Sequence, residues 1–113
     1  MKMNAIVAGV GMTRFGKMLD RGLKSIGAEA VEAAIKDAGI DKNDIETAFV
    51  GNAAAGLVTG QESIRGQVVL RSAGIGKIPV INVGNACASA STALHQAAAM
   101  VTAGAGRGRA RRG

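Results

Sequence analysis

One cysteine, Cys87, is set in the run Ile81-Asn82-Val83-Gly84-Asn85-Ala86-Cys87-Ala88-Ser89-Ala90-Ser91-Thr92-Ala93-Leu94. Apolar residues from Ile78 to Val83 read as a short buried strand. Gly84 permits a tight reversal, and a helix is expected from Ala88 onward. Cys87 then stands near a helix N-terminus, where unpaired backbone amides favour negative charge. Such a place favours thiolate over thiol, and the same donors suit the oxyanion of a thioester under attack. The chemistry to expect is nucleophilic acyl transfer, with Cys87 and its amide as the acting groups. A buried structural cysteine is the plainer alternative.

His95 is the sole histidine and the obvious base for that thiol. Eight residues along a helix is about 12 Å of rise, against the roughly 3 Å contact a base needs. His95 therefore reads as a surface or packing residue. One Cys, one His and scattered carboxylates supply no metal-ligand cluster, so no metal is expected. Gly11 to Met18 has the spacing of a phosphate-binding loop, but Met18 stands where Ser or Thr must ligate Mg²⁺. Arg14 likewise takes the place of the third glycine in a dinucleotide fingerprint.

The elements that must position Cys87 alternate. Met3 to Gly9 is a near-continuous apolar run suited to a buried strand, followed by a glycine-rich loop to about Gly22. Leu23, Ile26, Ala30, Val31, Ala34 and Ile35 recur at helical spacing from Leu23 to Ala38, with Lys24, Glu29, Glu32 and Lys36 on other faces. Gly39 reads as the C-terminal cap, and Asp41 as the cap of a short turn through Ile45. Thr47 to Gly51 is a second strand, Asn52 to Gly60 a small-residue loop, and Glu62 to Ser72 another helix. Pro79 fits the entry to the strand before Cys87. The helix beyond it has an apolar stripe of Leu94, Ala97, Ala98 and Val101, and its small residues nearly all round predict burial between layers. The order is that of an α/β fold with a parallel or mixed sheet.

The run from Asn82 to Leu94, with Val101 closing the helix, resembles the acyl-enzyme cysteine signature of thiolases. Ala5 to Gly16 resembles the first strand and loop of the sterol-carrier, or lipid-transfer, type of thiolase. Gly84 stands where that type usually has Glu, and Ala90 where Gly is common. The resemblance covers about residues 3 to 103 but well under half of a family chain. It implies the N-terminal part of a layered αβαβα fold, with the central helices between two sheets. It also implies acyl transfer between coenzyme A thioesters through a Cys87 acyl-enzyme, by thiolysis or condensation of 3-ketoacyl-CoA. Coenzyme A is then a co-substrate, no cofactor is bound covalently, and a homodimer or higher homo-oligomer is expected. In the family the activating histidine and a second, acid/base cysteine come from the C-terminal half. This chain by itself is therefore expected to be inactive. A β-ketoacyl synthase-like condensing enzyme fragment and a non-catalytic truncated product are the alternatives.

Composition sets the limits. At 113 residues the chain suffices for one small domain, and with only Phe15 and Phe49 as aromatics its core must be aliphatic. A single cysteine excludes an intrachain disulfide and fits a reducing compartment. No apolar run approaches the roughly 18 residues of a membrane span, which makes the cytoplasm the default. The formal charge is +6, but Arg107, Arg109, Arg111 and Arg112 lie in the last ten residues, leaving ten basic against eight acidic groups, or +2, in the body. No specific nucleic acid is expected. Residues 1–103 read as an incomplete domain and 104–113 as a disordered Arg/Gly-rich tail. The codons of Arg, Gly and Ala are GC-rich, which favours the hypothesis that the tail is translated in a shifted frame. Nucleotide sequence showing one native frame through it would exclude that.

Overall fold

In a computed structural model of the protein, residues 2–18, 20–53 and 64–104 are described. The element order is α1 (Leu23–Ala38), a 3₁₀ turn (Lys42–Asp44), β1 (Ala48–Gly51), α2 (Arg65–Ser72), β2 (Val80–Val83) and α3 (Ser89–Ala103). The loop expected from Asn52 to Gly60 lies outside the described residues beyond Ala53, as do the first residues of the helix expected from Glu62 and the tail beyond Gly104.

The two strands are parallel, with Ala48 paired to Val80, Phe49 to Ile81, Val50 to Asn82 and Gly51 to Val83. A parallel pair needs a crossover, and α2 supplies the helix for it. Pro79 has no amide to donate, yet its carbonyl accepts the Ala48 amide at 3.0 Å and the Thr47 hydroxyl at 3.1 Å. Proline at the strand entrance therefore costs the ladder nothing. The Asn82 side chain fastens α2 to β2: Oδ1 accepts the Gly66 amide at 2.6 Å, and Nδ2 donates to Gln67 Oε1 at 2.8 Å.

Helix α1 has the expected limits. Gly39 caps it in the left-handed region at φ 67°, its amide reaching the Ile35 and Lys36 carbonyls. Gly22 offers no side-chain cap, and Arg21 ties the first turns instead. Its guanidinium donates to the Ser25 hydroxyl and carbonyl and pairs with Glu29 at 2.8 Å. The 3₁₀ turn after α1 opens on a reciprocal box: Asp41 accepts the Asn43 amide, and Asp44 accepts the Asp41 amide.

The core is small and aliphatic: Val69, Leu70, Ala73, Ile75, Val83 and Ala93, joined by the hydroxyl of Ser89. Helix α1 packs on α2, and α3 packs on β1.

Two expectations differ from the structure. Met3 to Gly9 is irregular and forms no strand. A strand needs a partner's ladder, and here the Asn4 amide donates to Thr102 Oγ1 at 2.7 Å and the Val10 amide to Asp37 Oδ2 at 2.9 Å. Gly9 and Gly11 rest against the backbone of α1, while Ile6 is left 90% exposed. The second difference is in α3, where Leu94 and Val101 are exposed and the buried face is Ser89 and Ala93. The smallest residues face β1 because only they allow the close approach found there.

Candidate active site

The sheet and α3 meet at the segment from Gly84 to Ser89. Chain leaving β2 at Val83 must reverse within five residues to start α3 at Ser89. It does so through Ala86, which sits in the left-handed region at φ 46°. That conformation costs a residue with a Cβ roughly 1–2 kcal/mol.

Hydrogen bonds hold the reversal. The Ala88 amide donates to the Asn85 carbonyl at 2.9 Å, and the Ser89 amide to the Ala86 carbonyl at 3.2 Å. The Ser89 hydroxyl accepts the Asn85 amide at 2.8 Å and donates to the Ala86 carbonyl at 2.7 Å. Asn85 Nδ2 donates to Thr92 Oγ1 at 2.9 Å, a strap from the turn to the next turn of the helix.

Cys87 is exposed and precedes the N-cap residue Ala88. No side chain caps α3. The first two amides of its entry, on Ala88 and Ser89, are used by the turn, so fewer donors are unpaired than the bare sequence implies. The next two, on Ala90 and Ser91, have no acceptor inside the helix. The arrangement can present a sulfur nucleophile to solvent beside the positive end of a helix dipole.

His95 lies on the exposed surface of α3, three residues beyond Thr92 and eight beyond Cys87. Nothing brings it to the turn. Gly11 to Met18 is irregular, and α1 begins only at Leu23, so the loop does not run directly into a helix as phosphate binding requires.

Three features escape the sequence reading. Gly51 ends β1 directly against the Ser89 backbone. Ser89 is only 4% exposed, although a serine at a helix start reads as a solvated cap. A shallow pocket of about 90 Å³ opens at the carboxyl ends of both strands, lined by Val50, Asn52, Arg65, Asn82, Val83 and Gly84. Ligands of open α/β sheets bind at such ends. A strand-ending glycine was the one available signal for the first of these features.

Comparison with known proteins agrees with this geometry. Residues 5–107 match the family described as thiolase, N-terminal domain. An acetyl-CoA acetyltransferase of Methanocaldococcus jannaschii is 43% identical over 99 residues, which are 88% of this chain and 25% of that protein. Sterol carrier protein 2 of Gallus gallus is 36% identical over 106 residues, covering 92% of this chain and 18% of the relative. The chain thus spans a quarter or less of these relatives. Among solved structures, the Acat5 thiolase from Ascaris suum in complex with coenzyme A superposes with a TM-score of 0.70 at 18% identity, over 85% of this chain and 24% of that one. The partial αβ architecture around Cys87 is therefore thiolase-like, and the chain belongs to the thiolase family, matched at its N-terminal domain.

Proposed function

We propose that Cys87 is the acyl-accepting nucleophile of a thiolase-type acyltransferase that works between coenzyme A thioesters. The observation that carries this reading is the exposure of the chain's one thiol on a braced turn at the start of α3, in a chain of the thiolase family. In the degradative direction the thiolate attacks the keto carbon of a 3-ketoacyl-CoA. The bond between that carbon and C2 breaks, its electron pair leaving on the shortened acyl-CoA as an enolate that takes up a proton. The acyl group stays on Sγ as a thioester until the thiol of coenzyme A displaces it. The first transfer breaks a carbon–carbon bond and makes a thioester on Cys87; the second exchanges that thioester for one with coenzyme A, a nearly balanced step that suits a reversible reaction.

The Ala90 and Ser91 amides favour negative charge developing at the helix start. The solved relative in complex with coenzyme A supports coenzyme A as the co-substrate. Residues 1–103 supply the nucleophile's half of the site, and the other half comes from the C-terminal part of a family chain, within a homo-oligomer. Turnover by this chain alone is not expected.

Mass spectrometry after exposure to acetyl-CoA or acetoacetyl-CoA tests the half-reaction. The expected result is an acyl adduct on Cys87, absent in Cys87→Ala and formed faster than on the urea-unfolded chain. No adduct in a demonstrably folded sample would sink the reading.

A further inference from the structure

We infer that the Ser89 hydroxyl is a positioning residue that clamps the strained Ala86 and so fixes where Cys87 projects. The inference rests on the reading of Cys87 as the nucleophile and adds a device by which the chain holds it.

The hydroxyl touches both ends of one dipeptide. It accepts the Asn85 amide at 2.8 Å and donates to the Ala86 carbonyl at 2.7 Å. Between these two bonds lies the one backbone angle of the reversal that an alanine adopts at a cost, φ 46° at Ala86. Among the described residues Ser89 is also the one buried polar residue, at 4% exposure. Its backbone is held from behind by Gly51, so the clamp has a fixed base. A hydroxyl shut away from water with both its donor and acceptor roles filled is a specific device, since losing it leaves the Asn85 amide without that acceptor. Cys87 follows Ala86 directly. When Ala86 leaves the left-handed region, the peptide carrying Cys87 turns with it, and the sulfur moves off the helix entrance.

The thermodynamics follow from the strain. Alanine prefers other regions by an amount worth about tenfold in population, whereas glycine has no such preference. Without the hydroxyl the turn should therefore relax when residue 86 is alanine and hold when it is glycine.

The test measures alkylation of Cys87 by iodoacetamide in the full chain, with circular dichroism confirming the fold. This chemistry involves no acyl transfer, so its outcome is separate from that of the acetyl-CoA experiment. Ser89→Ala is expected to slow alkylation about tenfold, toward the rate of the urea-unfolded chain. Ala86→Gly added to Ser89→Ala is expected to restore the rate to within about threefold of the parent. A folded Ser89→Ala chain alkylated at the parent rate overturns the inference. If Ser89→Ala does not fold, the double variant decides. Folding with restored reactivity supports the clamp, and failure to fold shows that the hydroxyl serves general packing instead.

Discussion

Gly51 stands against Ser89 so closely that a Cβ built on the glycine would lie 2.6 Å from both the carbonyl carbon and oxygen of Ser89, and 2.7 Å from the Ala90 nitrogen. These are backbone atoms, which cannot swing aside as a side-chain tip can. Gly51→Ala is therefore expected to push the start of α3 away from β1 and to destabilise the chain by about 1–3 kcal/mol. Urea unfolding of parent and variant measures this. A change below about 0.5 kcal/mol would show that the contact is not tight.

Asn82 joins β2 to α2 through two different atoms, Oδ1 on the Gly66 amide and Nδ2 on Gln67. Asn82→Ala leaves the Gly66 amide, at a buried glycine, without its acceptor. The expected loss is about 1–3 kcal/mol. Asn82→Asp keeps the acceptor and loses the donor, and should cost less. The order of the two midpoints in urea checks the assignment.

The box formed by Asp41 and Asp44 closes the turn between α1 and β1. Asp41→Ala removes one of its two bonds and should cost about 0.5–2 kcal/mol, read as a lowered thermal midpoint with an unchanged circular dichroism spectrum at low temperature. An unchanged midpoint would mean that the turn is held by its neighbours.

His95 is exposed on α3 and takes no part in the reversal. His95→Gln is expected to leave the iodoacetamide rate at Cys87 within about twofold of the parent across neutral pH, since a base must stand within about 3 Å of the proton it takes. A larger fall would place the imidazole in the site.

Ile6, Val7, Val10, Met12 and Phe15 on the N-terminal segment, with Leu94 and Val101 on α3, are large apolar residues left exposed. Apolar surface on this scale drives association. The isolated chain should elute heterogeneously on size exclusion and bind a hydrophobic dye. A monodisperse monomer with a sharp thermal transition would contradict this.

The elements readable in the sequence were those written in local signals. Helix α1 matches to the residue because the periodicity of its apolar face ends at a glycine that must take positive φ. The turn at Asp41 and the strand after Pro79 follow from one capping side chain and one missing donor. Cys87 before a helix was likewise visible, since Gly84 and the small residues after it allow nothing longer than a tight reversal. The long-range relationships were not readable. An apolar run such as Met3 to Gly9 has the composition of a strand, but pairing depends on which backbone lies beside it. The burial of Ser89 depends on Gly51, which is distant in sequence. Period alone placed the stripe of α3 on Leu94 and Val101, whereas fit against β1 selected Ser89 and Ala93.

The face that α3 turns toward β1 is built from serine and alanine, meeting a strand that ends in glycine. A contact between leucines absorbs a shift of the backbone by changing rotamer, and this one has almost no rotamers to change. Main chain rests on main chain, so a small alteration in the twist or spacing of the two strands passes undamped to the turn that carries the sulfur. Fine adjustment of that thiol is thereby a property of the sheet, and residues far from sulfur can retune it without touching it.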